Sequence, residues 1–341
     1  MHPLVTRLLR DPIAEYPSAT VACFDPTTGE LPRRKLDHGL TKTFLERLAT
    51  AGAPAVLIAA STGGGHLRTA DELAEWFAVA AEASLGDCVR MALLRPEDGD
   101  EVNAQLIDQL AALAYPIVFV RPGTNLPQGA TDAQVAANMQ PIVARAAARE
   151  MAVGLYSIPD VSGLPMSPAA AVHVLNGPGG EHVVAIKVTE ANYEHSTRRF
   201  LTTPELARLK IVQGWDPHLA AALQDGPRYD TAGRQRCGVT SGPMSFAVYQ
   251  YLHMLAAAER GDWEELRESQ AAVTTVFQAM QDDPRKFADL QRAKFMMGLG
   301  QPLLGTVTAE QTARVGAALD ALPRAADRER LTRSFNLMHD Q

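Results

Sequence analysis

Residues 19–29 read ATVACFDPTTG. The first six are small, β-branched or apolar without alternation, the pattern of a strand covered on both faces. The turn that follows decides the fold. A doubly wound open sheet carries a glycine fingerprint after its first strand, whereas Phe24-Asp25-Pro26-Thr27-Thr28-Gly29 has one glycine, at its end. Outward from this stretch, similar runs recur at 55–60, 89–94, 117–121, 152–157, 183–187, 210–213 and 237–240. Amphipathic helical patterns separate them at 35–51, 69–84, 99–114, 131–149 and 167–175, with shorter crossovers near 190–201 and 217–224. Thr69 stands as an N-cap before Ala70-Asp71-Glu72, and Ser167 precedes Pro168 at a first helical position. Strand starts spaced roughly 25–40 residues apart, each followed by a helix, predict an α/β fold, a (β/α)8 TIM barrel.

After Ser241 the rhythm changes to helix alone, at 246–260, 263–281, 289–297 and 309–322. The reading is therefore an N-terminal extension (1–18), a barrel (19–245) and a C-terminal helical region (246–341), whose last stretch from Arg324 is a surface helix or a loose tail.

The composition of the 341 residues narrows the class. Hydrophobic residues make up 46% and charged residues 21%, which excludes a disordered or collagen-like chain. A net charge of -7 gives no basic surface for a nucleic-acid backbone, so no nucleic-acid partner is expected. The longest apolar stretch, 53–60, is far shorter than the ~20 residues of a membrane span. The opening MHPLVTRLLRDPIAEYP lacks a cleavage-like small-residue site and does not read as a secretory signal. Cys23, Cys88 and Cys237 are far apart and odd in number, which fits a cytoplasmic protein without a disulfide framework.

In a barrel the chemistry gathers at the C-terminal ends of the strands. Lysine is scarce, with six in the chain, and Lys187 alone closes an apolar run, Val183-Val184-Ala185-Ile186-Lys187. Lys210 begins a run, while Lys35, Lys42, Lys286 and Lys294 read as parts of polar helical segments. Desolvation at a strand end lowers a lysine pKa and frees the amine to attack a ketone. The alternative is a lysine reaching out to a carboxylate such as Glu190. Ser61-Thr62-Gly63-Gly64-Gly65 offers hydroxyls and backbone N–H groups for a carboxylate or phosphate, or is simply a flexible loop. Without a lysine after the glycines it is not a phosphate loop of nucleotide-hydrolysing type. Tyr156 closes the neighbouring run and is either a proton relay or packing with a wet hydroxyl. His66, beside the glycines, reads as structural or as a specificity contact. The nine histidines and three cysteines form no metal-ligand spacing, and no G-x-S-x-G elbow occurs.

These stretches together resemble the dihydrodipicolinate synthase and N-acetylneuraminate lyase family of Schiff-base-forming aldolases. The resemblance spans about residues 19–320. It rests on Phe24-Asp25 with Gly29-Glu30, Ser61-Thr62-Gly63 with Leu67 and Glu72, Leu155-Tyr156-Ser157-Ile158-Pro159, Ile186-Lys187, and Gly238-Val239-Thr240-Ser241. It implies that Lys187 forms an imine with pyruvate or a related 2-oxo acid and that Tyr156 moves the protons. It further implies that Ser61, Thr62 and Gly63 hold the carboxylate, and that Thr240 lines the pocket. Three departures stand out. Gly64 replaces a glutamate, Thr124 stands where the synthases have a relay tyrosine, and Val161 stands where they have an arginine that clamps an acidic aldehyde. The loss of that cation argues against a true dihydrodipicolinate synthase. The implied activity is a carbon–carbon lyase joining or splitting a 2-oxo acid and an aldehyde, with no cofactor, in a homodimer or homotetramer. The alternatives are a 2-keto-3-deoxy sugar acid dehydratase working through the same imine, and a catalytically silent carboxylate-binding relative.

Overall fold

The apolar runs are strands, and they close on one another. A computed structural model describes residues 1–28, 35–283 and 285–339; Gly29 and Glu30 of the first motif lie outside them, as do the last two residues of the C-terminal stretch. The barrel strands are β1 (Ala19–Ala22), β2 (Ala55–Ile58), β3 (Val89–Leu94), β4 (Ile117–Val120), β5 (Ala152–Ser157), β6 (Val183–Val188), β7 (Lys210–Gln213) and β8 (Cys237–Ser241). Each pairs in parallel with its sequence neighbours, and β1 pairs with β8 to complete the ring. Strands β5 to β8 are buried throughout, which is why the sequence shows unbroken apolar runs there instead of alternation. Register sets the site: Tyr156 lies opposite Lys187 across β5 and β6, and Thr20 opposite Thr240 across β1 and β8.

The N-terminal extension contains helix α1 (Pro3–Arg10), whose Leu4, Val5 and Leu8 pack into the same apolar cluster as the barrel-interior residues Leu57, Met91 and Phe119. The crossover helices that position the site are α2 (His38–Thr50), α3 (Ala70–Ala81), α4 (Asp100–Ala112), α5 (Asp132–Ala148) and α6 (Pro168–Leu175). Thr69 caps α3 in a reciprocal arrangement with Glu72, as the sequence indicates. Helix α2 starts three residues later than its apolar period implies. Asp37 caps it by accepting from the Leu40 N–H, and Lys35–Leu36 instead pairs antiparallel with Thr27–Thr28.

The C-terminal region consists of α7 (Met244–Glu259), α8 (Trp263–Gln278), α9 (Ala288–Met296), α10 (Ala309–Asp320) and α11 (Ala325–Phe335). The final stretch is a packed helix, not a loose tail. Phe335 stacks on Phe246 at 5.0 Å between ring centres, and buried Asp327 accepts from Gln250, Arg324 and Arg330.

Candidate active site

A cavity of about 460 Å³ opens at the C-terminal ends of the strands. Ser61, Thr62, Tyr156, Lys187 and Thr240 all line it. Lys187 is 3% exposed, and its Nζ lies 4.2 Å from the centre of the Tyr156 ring. The amine has no hydrogen bond or ion pair among the described residues. Glu190, the carboxylate within sequence reach, instead accepts a 2.5 Å hydrogen bond from Ser157. Burial pushes the Lys187 pKa down to about 7, against a smaller opposing pull from the Asp216 carboxylate. Roughly half of the amine is then uncharged at neutral pH.

Tyr156 accepts a 3.1 Å hydrogen bond from Thr189, so its own proton remains free to be donated. Burial raises the phenol pKa, which keeps it protonated. Gly214 sits where β7 passes the lysine. A Cβ there would lie 2.1 Å from Thr189 Oγ1 and 3.0 Å from Lys187 Cε, so glycine is the residue that lets both side chains converge.

The turn Ser61–Gly63 divides its labour differently from the sequence expectation. The N–H groups of Gly63, Gly64 and Gly65 are committed to Ala60 and Ser61 carbonyls within the turn. Gly63 does not line the cavity; it is a packing position, since a Cβ would come within 2.5 Å of both Cys23 O and the Trp76 ring. What faces the cavity is hydroxyl: the buried Ser61 Oγ and Thr240 Oγ1 have no hydrogen-bond partner among the described residues.

Thr124 and Val161 are not among the residues that line the cavity of Lys187. They line a second cavity of about 310 Å³ with His66, Arg68, Arg95 and Arg121. Their wall is already charge-matched, with Arg121 paired to Glu97 and Arg95 to Asp98. Burial, with Arg121 and Arg95 nearby, pushes His66 down to about 4, so it is neutral at pH 7.

Several site residues escaped the sequence reading. Asp216, just beyond β7, is half-buried, accepts from both Ser241 and Tyr251, and is raised in pKa mainly by desolvation of its carboxylate. Its position at a strand end was a usable signal; that of Tyr251, on α7, was not. Helix α9 reaches the Ser61–Gly63 turn: Gln291 Nε2 donates to Thr62 O at 3.1 Å, and its Oε1 accepts from Leu303 N–H at 2.9 Å. One turn away, Lys294 is fully buried and pairs with Asp25 at 3.0 Å, while Arg68 pairs with the other Asp25 oxygen at 2.6 Å. Lys294 does lie on a helix, as its sequence context indicates, but that polar context carries no sign of its burial. No cluster of metal-ligating side chains occurs among the described residues, and no helix there is long and apolar enough to cross a membrane.

No protein-family model matches the sequence, and no curated protein matches it. Solved structures do. A prophage protein of the dihydrodipicolinic acid synthase family from E. coli K12, in complex with pyruvate, superposes with a TM-score of 0.76 at 16% identity, covering 90% of this chain and 98% of its own. A catalytic-lysine mutant of Ruminococcus gnavus sialic acid aldolase gives 0.74 at 14% identity, over 94% and 96%. A dihydrodipicolinate synthase from Bacillus anthracis gives 0.72 at 16% identity, over 91% and 99%. The structures this chain resembles are those of the family that its motifs suggest, and it has the fold of the dihydrodipicolinate synthases and their aldolase relatives.

Proposed function

We propose that the protein is a carbon–carbon lyase that forms an imine between Lys187 and a 2-oxo acid of the pyruvate type, and then makes or breaks the bond beyond the imine carbon. The observation that carries this reading is the buried Lys187 amine, with a pKa of about 7 and no hydrogen bond or ion pair among the described residues, in a cavity it shares with the Tyr156 phenol and with hydroxyls that have no partner among those residues. The solved relatives add support: one was obtained with pyruvate, and another is described by its catalytic lysine.

In this mechanism the free amine attacks the ketone carbon of the 2-oxo acid. The carbonyl oxygen takes protons, with Tyr156 as donor, and leaves as water, giving an iminium. Loss of a proton from the adjacent carbon gives an enamine. Its carbon attacks an aldehyde, whose oxygen is protonated, and water then hydrolyses the iminium to release product and free lysine. The reverse sequence is the cleavage. Ser61, Thr62 and Thr240 hydroxyls hold the carboxylate.

Incubation with pyruvate and sodium borohydride, followed by peptide mapping, tests the reading. Reduction of the imine leaves a stable secondary amine on Lys187, and Lys187→Ala yields none. An intact, folded protein that gives no adduct with any 2-oxo acid refutes it.

A further inference from the structure

The rest of the cavity lining has a chemistry of its own. Its apolar part is Trp215, which follows β7, Pro243, Phe277 on α8, and Phe287 and Leu290 at the start of α9, beside the uncharged polar side chains of Thr274, Gln278 and Gln281. Phe287 is held in the left-handed backbone region, with φ of 68°, an arrangement that surrounding structure must enforce in a non-glycine residue. That conformation sets its ring 5.3 Å from His66, which is neutral at pH 7.

The rim is charged but not cationic. Lys286 Nζ meets Asp160 at 2.9 Å, and Arg285 Nε meets Asp283 at 2.8 Å. Asp289 adds a third carboxylate to the lining, so the rim holds more acid than base among the described residues. A bidentate guanidinium or a free ammonium is what recognition of an anionic acceptor needs, and here each rim cation is already matched.

Building on the imine reading above, we propose that the acceptor is an uncharged aldehyde carrying an aromatic or similarly flat apolar group, which stacks among Trp215, Phe277 and Phe287. The enamine carbon bonds to the aldehyde carbon, the carbonyl electron pair becomes a hydroxyl on taking a proton, and hydrolysis releases a 4-hydroxy-2-oxo acid with the apolar group at C4.

The test incubates the whole protein with pyruvate and one of two probes, benzaldehyde or succinic semialdehyde, and quantifies product by mass spectrometry, with borohydride trapping of pyruvate run in parallel. Benzaldehyde is expected to exceed succinic semialdehyde in kcat/KM by about tenfold or more, as befits a pocket lacking a carboxylate partner. Asp160→Asn, which releases Lys286, should narrow that preference by raising turnover of the anionic aldehyde, a gain that misfolding cannot mimic. Equal or faster use of succinic semialdehyde by the unaltered protein overturns the proposal. So does pyruvate trapping on Lys187 without product from benzaldehyde, which leaves the imine reading standing. Absence of trapping removes both.

Discussion

Replacing Lys187 by methionine should make the protein more stable while ending its imine chemistry. The amine is buried, and its pKa falls from 10.5 to about 7. At 1.36 kcal/mol per pKa unit, the folded state carries a penalty of about 5 kcal/mol relative to an unburied lysine at low pH. The sign follows from proton counts. Between pH 7 and 10.5 the unfolded chain keeps the lysine proton and the folded chain does not, so stability of the natural protein rises with pH in that window. Below pH 7 the penalty is complete, and above 10.5 it vanishes. Methionine is neutral, of similar length, and compatible with the Tyr156 ring. Some of the gain is lost because Asp216 no longer faces a cation, so a net increase of about 2–4 kcal/mol at pH 7 is expected. For a chain of this size that is roughly 3–6 °C in Tm. Paired urea melts of both proteins at pH 7 and pH 9 measure it, and the gap should shrink by about 2 kcal/mol between them. A less stable variant at pH 7, or a gap independent of pH, refutes the assignment of Lys187 as a desolvated amine.

Trapping of pyruvate should rise with pH through a midpoint near 7, in keeping with the depressed Lys187 pKa; Asp216→Asn should move that midpoint lower, because the carboxylate supports the ammonium form, and an unchanged midpoint in the trapped yield counts against the coupling. Gly214→Ala places a Cβ 2.1 Å from Thr189 Oγ1 and 3.0 Å from Lys187 Cε, and should cost about 1–3 kcal/mol in melts along with most of the adduct. Gln291→Leu removes the donor to Thr62 O; isothermal titration should show pyruvate affinity down about tenfold, the worth of one net hydrogen bond at a site where it fixes a turn, with Gln291→Asn no better than leucine if reach matters.

How much of this was legible beforehand follows the range of the interactions. The β6 run ending in Lys187 and the β5 run ending in Tyr156 announce themselves locally, because burial on both faces demands continuous apolar residues. Parallel pairing of consecutive strands then makes the two side chains neighbours. Ser61, Thr62 and Thr240 follow from the same rule about strand ends. The misplacements have a common cause. Order along the chain puts Thr124 and Val161 at strand ends, whereas they line the neighbouring cavity. Gly63 was read as an anion donor, although its N–H is bonded to Ala60 and its face to Trp76. Lys294 and Gln291 lie on a helix whose partners are more than two hundred positions upstream, and no local period encodes which helix will meet which turn.

That distance also sets an order of events during synthesis. Asp25 follows the first strand of the barrel, yet it meets Lys294 only 269 residues later. At ~5–20 residues per second, the ribosome takes roughly 15–50 s to deliver that partner. Until then Arg68 is the cation at hand for Asp25, and the Thr62 carbonyl lacks the Gln291 amide. The last barrel strand ends at Ser241 and α9 begins at Ala288, so the strands of the ring are all synthesised before the helix that fixes the Ser61–Gly63 turn, and the pocket is completed only when α9 docks.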